Sequence, residues 1–172
     1  MVPVTIETLV VGIPPSPSVV VLRPLGDSDS GARVMPIWIG PAEAAAIGLA
    51  LEGQPRLRPM THDFLFNIIN ALHAEIDHVV IDRVDGSTFF ATVSLKQDGR
   101  HIPVDARPSD SIALALRARV PLYVEKSVLD ASSFPYVLMQ GTASKDATVE
   151  QFRSFLDSVS PEDFEVRRGG AE

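Results

Sequence analysis

The chain has 172 residues, 45% of them hydrophobic and 22% charged, with a formal net charge of −7 at pH 7. Length and composition predict one globular domain with an appendage, and no apolar run approaches the roughly 18 residues of a membrane-spanning helix. The acidic balance excludes nucleic-acid binding through a general basic surface, so such contacts would need a local basic patch, a bound cation or transient encounter.

Three strands are predicted near the start of the chain. Residues 4–12 and 18–24 are rich in Val, Ile, Leu and Thr, and the turn-forming run Pro14-Pro15-Ser16-Pro17 separates them. A polar loop then leads to a third predicted strand from Val34 to Ile39. This pattern is typical of an antiparallel meander.

Two helices are predicted after these strands. The first runs from Pro41 to about Glu52 and ends at Gly53, a residue type favoured after a helix C-terminus. The second runs from Thr61, as N-cap, to about Ala74. Its predicted apolar stripe consists of Leu65, Ile68, Ile69 and Leu72.

A second meander is predicted over residues 75–105. Asp85-Gly86 and Asp98-Gly99 are tight-hairpin dipeptides, and the residues between them alternate between polar and apolar types. A helix over 108–118, a short strand Leu122-Tyr123-Val124 and a brief helix around residues 127–129 are predicted to follow.

The elements together predict an α+β fold, with antiparallel β-meanders and helices packed on the sheet. We expect a domain over residues 1–131, and a linker with a C-terminal helical tail over residues 132–172. One face of the tail helix would carry Val149, Phe152, Phe155, Leu156 and Val159. A stripe of this size is rarely left in water, and it would dock either on its own domain or on a neighbouring subunit. Two-fold dimers are the commonest assembly, so we expect a homodimer, formed with the tail or by the apolar sheet edge of the main domain alone.

The junction between the last strand of the second meander and the next helix is the most informative stretch for function. Asp105 ends the strand, Arg107 lies at the turn, and Asp110 lies in the first turn of the helix. Strand-to-helix turns present polar groups to ligands, because the N–H groups of the first helical turn have no intrahelical acceptor. This junction predicts phosphate or metal chemistry, although a well-capped helix or a structural Asp–Arg pair would use the same residues.

Further candidates are spread over the first half of the chain. Glu43, His62 and Asp63 lie in the first turns of predicted helices, where an acid also stabilises the helix dipole without any function. Arg56 and Arg58, in the loop after the first helix, are candidates for contacts with substrate. Solvated loop arginines are the alternative interpretation.

Four blocks of sequence resemble the bifunctional nuclease (DNase/RNase) domain family, and the resemblance covers residues 4–131. Their order and separations make the combination specific, although each block alone is modest. The blocks are Pro36–Ala44, Arg58–Asp63, Gly86–Ala91 and Val104–Arg117.

The resemblance implies an α+β nuclease that hydrolyses both DNA and RNA. Phosphodiester hydrolysis needs an activated water and compensation of the charge that builds on the phosphorus centre, and Mg²⁺ or Mn²⁺ held by carboxylates would supply both. The candidate metal ligands are Glu43, Asp105 and Asp110, with His62 as general base and Arg107 as phosphate clamp. Asp63 and the acids of the junction complete the predicted catalytic set.

We expect single-stranded or unpaired nucleic acid as the substrate and a cytoplasmic location, since the N-terminus lacks the pattern of a secretory signal. The alternative is a non-catalytic regulatory module that binds a protein partner or a small anion at the turn of residues 105–110. The acidic net charge favours this alternative, and the family resemblance favours the enzyme.

Overall fold

The computed structural model describes residues 1–12, 16–26, 33–53 and 57–135. The predicted tail helix and Arg56 lie outside these residues. The first meander is formed as predicted by three antiparallel strands, and the long apolar runs of the second and third are buried. The strands are β1 (Val2–Val10), β2 (Ser18–Pro24) and β3 (Arg33–Ile39).

The second meander also has the predicted antiparallel pairing. It comprises β4 (Glu75–Asp85), β5 (Thr88–Gln97) and β6 (Arg100–Ala106). At the β5–β6 turn Asp98 and Gly99 both have positive φ, 49° and 75°, as a two-residue hairpin of this kind requires. The hairpin prediction is therefore confirmed there in backbone geometry.

A short strand joins the two meanders into one eight-stranded sheet. β7 (Leu122–Val124) lies between β4 and β1, and it runs parallel to β4 and antiparallel to β1. β8 (Phe134–Pro135) pairs with β3 at the far edge, so the sheet includes residues beyond the predicted boundary at 131. The order is β6-β5-β4-β7-β1-β2-β3-β8, and the predicted α+β class is confirmed.

Within the described ranges, four helices accompany the sheet. They are α1 (Pro41–Glu52), α2 (Thr61–Ala71), α3 (Pro108–Ala118) and α4 (Lys126–Ser132). α1 and α3 begin with proline, whose fixed φ suits the first helical position, and each ends at a residue of left-handed conformation. Within the described residues no helix is long and apolar enough to cross a membrane.

The start of α2 differs from its prediction by one residue. Thr61 is the first helical residue rather than the N-cap, and Met60 is the N-cap. The Asp63 carboxylate accepts a hydrogen bond from the Met60 N–H at 2.8 Å, so the third residue of the helix supplies the cap and Thr61 is not needed for it.

The helices differ greatly in burial. α3 lies at the centre of the helical layer, contacts α1, α2, β4 and β5, and buries seven of its eleven residues. Of the stripe predicted for α2, only Ile69 is buried, whereas Leu65, Ile68 and Leu72 are exposed. α3 therefore anchors the core, and α2 lies over it as a peripheral helix.

Candidate functional site

Arg107 connects the first turns of two helices. As the N-cap residue of α3, it is followed by Pro108 and, at the third helical position, Asp110. Its Nε donates to Asp110 Oδ2 at 2.8 Å, and its guanidinium lies 3.1 Å from Glu43 Oε1, at the third position of α1. The Arg107 side chain is 67% exposed, so it bridges the two acids at the surface.

Asp110 also contacts a histidine from a third helix. His62, in the first turn of α2, lies with Nε2 3.0 Å from Asp110 Oδ1, and its side chain is only 14% exposed. Partial burial raises the pKa of Asp110, but the hydrogen bonds from Arg107 and His62 outweigh it, and the pKa is lowered from its usual value. Asp110 is therefore an ionised acceptor between an imidazole and a guanidinium.

The predicted catalytic residue Asp63 has an architectural environment. One carboxylate oxygen caps α2, and the other pairs with Arg117 of α3. Arg117 is 10% exposed and also donates to the carbonyl oxygens of Ala113, at 2.8 Å, and Ala46, at 3.2 Å. This pair therefore holds α1, α2 and α3 together.

Arg117 had not been predicted to be structural. Helical periodicity offered a signal, because Asp110, Ala113, Leu114 and Arg117 fall on one face of α3. A cation on a mostly buried face needs a partner, and Asp63 supplies it.

The predicted metal ligands are not gathered into a ligand set. Glu43 and Asp110 both face the Arg107 guanidinium. Asp105 is exposed at the end of β6 and makes no hydrogen bond or ion pair with a described residue. Across the part of the chain that the structure describes, no three His, Cys, Asp or Glu side chains are grouped so as to hold a metal ion. Arg107 is accordingly paired with Glu43 and Asp110 rather than with Asp105.

Arg58 lies apart from Arg107. It borders a cavity of about 410 Å³ between α1, α2 and α3, together with Asp63, Arg117 and Arg119. Arg58 is exposed there, and Arg107 does not border this cavity. Of the three arginines predicted to contact substrate, the two that the structure describes, Arg58 and Arg107, therefore border different cavities.

His62, Asp110 and Arg107 border a cavity of about 740 Å³, which we call the apolar cleft. It lies between α2 and β6 above the centre of α3. Most of its lining is aliphatic, contributed by the helices and by β5 and β6; examples are Leu49, Leu65, Ile69, Val93, Val104 and Leu114. A polar cluster beside an apolar cleft is a common arrangement of ligand-binding sites.

A comparison with known families matches residues 21–136 to the bifunctional nuclease domain. The chain belongs to this family. The match begins within β2 and extends to the residue after β8, so it includes the whole cluster of Glu43, His62, Arg107 and Asp110. The family resemblance of the sequence is confirmed.

The curated relatives range from close to distant. Uncharacterized proteins of two Mycobacterium tuberculosis strains are 42% identical over 171 residues, which cover 93% of this chain and 98% of theirs. Bifunctional nuclease 2 of Oryza sativa subsp. japonica is 26% identical over 117 residues, 66% of this chain and 35% of that protein. Family membership therefore supports a function related to nucleases.

Proposed function

We propose that the protein is a nuclease that hydrolyses phosphodiester bonds of DNA and RNA. The observation that carries this proposal is the contact of one ionised carboxylate, Asp110, with both His62 and Arg107 at the edge of the apolar cleft. A base held by an orienting carboxylate can activate the attacking oxygen, and an exposed guanidinium can offset the charge that builds on the phosphate oxygens, which are the two needs of phosphodiester hydrolysis.

His62 is the proposed general base. With Nε2–H donating to Asp110, the imidazole presents Nδ1 as a proton acceptor, and Nδ1 has no hydrogen bond to a described residue. It would take a proton from water, or from the 2′-hydroxyl of RNA, as that oxygen attacks phosphorus. The bond from phosphorus to the leaving oxygen breaks in the same displacement, and the leaving oxygen takes a proton from solvent. Asp110 fixes the tautomer and stabilises the imidazolium that forms.

Arg107 is the proposed phosphate clamp. Its side chain is 67% exposed, and the planar guanidinium presents several donors to two phosphate oxygens. It would stabilise the negative charge that builds on those oxygens during attack. Because the polar cluster lies beside a cleft rather than on a broad basic surface, we propose a single-stranded or unpaired strand as substrate.

Dependence on Mg²⁺ or Mn²⁺ stays a prediction. Glu43 and Asp110 are paired with Arg107 in the described arrangement, which does not fit a three-carboxylate metal site, so we derive no step through a cation. The test is turnover with and without chelator, and a loss of turnover that added Mg²⁺ or Mn²⁺ reverses would establish the dependence.

The proposal is tested by cleavage of labelled single-stranded DNA and RNA with highly purified protein. We expect His62→Gln and Asp110→Asn each to lower the rate by about a hundredfold, the usual scale for a positioned acid or base. His101→Gln, at an exposed histidine on β6, is the matched control and should keep full activity. Asp105→Ala tests the predicted role of that carboxylate. Equal activity in all variants would identify a contaminating nuclease and refute the proposal.

A second candidate function is a non-catalytic module that binds a protein. The exposed apolar side chains of α2 favour it: Phe64 is 57% exposed and Leu72 is 61% exposed. Met60, Phe64, Ile68 and Leu72 recur every four residues and lie on one side of the helix. We propose that this side contributes to the homodimer predicted from the sequence.

Light scattering on the full chain tests the assembly. We expect a dimer, and we expect Phe64→Ser combined with Ile68→Ser to shift it to monomer without loss of the fold by circular dichroism. A monomeric parent protein would refute the dimer, and an unchanged dimer in the double variant would exclude α2 from the interface. The cytoplasmic location stays a prediction.

A further inference from the structure

Arg107 and Glu43 also border a second cavity, of about 300 Å³, which we call the turn pocket. Three turns meet there: β3 to α1, β4 to β5, and β6 to α3. The lining includes Trp38, Gly40, Ser87, Phe89, Arg107 and Ser109. His62 and Asp110 border the apolar cleft but not this pocket, so the turn pocket is separate from the proposed catalytic pair.

Two helix N-termini border the turn pocket, and neither has a side-chain cap. Gly40 precedes α1 and Arg107 precedes α3, both with extended backbone and no capping hydrogen bond from their side chains. The first helical residue of each is proline, so the N–H groups that need an acceptor belong to the second and third residues. Two such termini at one cavity favour an anionic ligand.

Ser109 provides independent support. It is the second residue of α3, its exposed fraction is 7%, and it borders the turn pocket. Its hydroxyl makes no hydrogen bond to any residue in the part of the chain that the structure describes, although buried hydroxyls are generally paired. The neighbouring Ser111, in contrast, donates to the Arg107 carbonyl oxygen at 3.0 Å. A ligand acceptor in the turn pocket would satisfy Ser109.

We propose that the turn pocket binds a phosphate monoester, as carried by a mononucleotide or by the phosphorylated end of a nucleic-acid strand. Arg107 would donate to the phosphate oxygens through its planar guanidinium, and Ser109 and the free N–H groups of the two helices would complete the contacts. Phe89 and Trp38 border the same cavity and offer aromatic surface to a base.

Glu43 sets the affinity of this site. Its carboxylate lies 3.1 Å from Arg107 and occupies the space that a Cβ at Gly40 would take, at the N-terminus of α1. An incoming phosphate would compete with this carboxylate for Arg107 and be repelled by its charge. Binding should therefore be tighter when Glu43 is neutral, whereas a role for Glu43 as a ligand to a phosphate-bound cation would make the same change weaken binding.

Trp38 is the only tryptophan of the chain, so its fluorescence reports on the pocket directly. We expect adenosine monophosphate to change this fluorescence saturably in the full-length protein, and adenosine to have little effect. Ser109→Ala should weaken binding about tenfold through the loss of one hydrogen bond to a charged group. Ser127→Ala is the matched control, because Ser127 is the second residue of α4 but is exposed. Glu43→Gln should tighten binding about fivefold.

The ligand could be a phosphorylated strand end or a free mononucleotide, and competition by two oligonucleotides that differ only in a 5′-phosphate distinguishes them. Competition by the phosphorylated strand alone indicates a strand end, and competition by neither strand indicates a free mononucleotide. Equal binding of adenosine and its monophosphate would overturn the proposal, as would equal affinities of Ser109→Ala and Ser127→Ala in proteins with unchanged thermal unfolding. Since no turnover is measured, the result is independent of whether the protein is a nuclease.

Discussion

The two halves of the sheet have the same topology but different surroundings. Each is a three-stranded meander whose last strand leads into a helix that begins with proline and has an acid at its third position, and β7 lies between the two meanders. β3 is buried and is paired with β8 on its outer side, whereas β6 is an exposed edge strand. Of the strands, β5 and β6 of this second half border the apolar cleft.

The most consequential difference between the two halves is the residue that precedes the helix, α1 in the first half and α3 in the second. The first half has Gly40, and the second half has Arg107 at the equivalent position. Gly40 has no side chain, which leaves room for the Glu43 carboxylate to lie over it. Arg107 instead reaches both acids. The two helix starts are equivalent, but only the start of α3 has an arginine before it. This single arginine links Glu43 and Asp110, and the cluster of polar side chains forms around it.

The largest expected effect on stability is at Arg117, whose contacts join the helices of the two halves. Arg117→Met should lower the free energy of unfolding by about 3 kcal/mol, because it removes the buried partner of Asp63 and the bonds to α1 and α3. Urea denaturation measures this loss. Arg119→Ala, at the exposed arginine two residues later, should change it by less than about 0.5 kcal/mol. Equal losses in both variants would contradict the architectural role of Arg117.

Much of this comparison was predictable from local sequence. The Asp-Gly hairpins and the Pro-x-acid helix starts depend on neighbouring residues alone, and the helix starts and the Asp98-Gly99 hairpin were found where expected. The β4–β5 hairpin is also formed, but its two loop residues are Gly86 and Ser87, because Asp85 is paired with Thr88 as the last residue of β4. The parallel contact of β7 with β4 was not predictable, because three residues carry no signal for a distant partner. The stripe of α2 was predicted, but a stripe does not reveal whether it is buried by the same chain.

The candidate site was predictable in its residues and not in its pairing. Asp110, Arg107, His62 and Glu43 were all identified from the sequence, yet the side chains in contact lie up to 64 positions apart, which is the separation of Glu43 and Arg107. Side-chain choices of that kind are set by tertiary packing. The structural pair of Arg107 with Asp105, one of the two interpretations of this junction, is not formed, and Arg107 contacts the helix-start acids instead.

A substitution of Arg107 distinguishes a functional role of its contacts with Glu43 and Asp110 from a structural one. Arg107→Lys should lower the proposed nuclease activity about tenfold, since a lysine lacks the planar fork of donors. The same change should lower the free energy of unfolding by no more than about 1 kcal/mol, because the side chain is 67% exposed. Arg100→Lys, at an exposed residue of β6, is the control. A large loss of stability with full activity would instead show a purely structural pair.

The free energy of unfolding at acidic pH should depend on Asp110. Its pKa is lowered in the folded protein, so its contribution is fully present above the ordinary value of 3.8 and is lost as pH falls through the folded pKa. Asp110→Asn should therefore flatten the fall in the free energy of unfolding below about pH 4, where the parent protein loses this contribution. Asp85→Asn, at the exposed last residue of β4, is the control and should keep the fall of the parent profile. Denaturation at several pH values measures both, and parallel profiles would refute the assignment.

The smallest expected effect is at Gly40, which precedes α1 as Arg107 precedes α3. Gly40 has an ordinary extended backbone, φ −73° and ψ 164°, so a side chain adds no backbone strain there. A Cβ would instead contact the flexible Glu43 carboxylate and displace it. We expect Gly40→Ala to cost about 0.5 kcal/mol, close to the usual difference between these residues at an N-cap. A double-mutant cycle with Glu43→Ala isolates the contact, because the part due to displaced carboxylate should vanish once that carboxylate is absent. A coupling energy indistinguishable from zero would mean that the missing side chain at position 40 does not determine where Glu43 lies. The asymmetry between the halves would then rest on Arg107 alone.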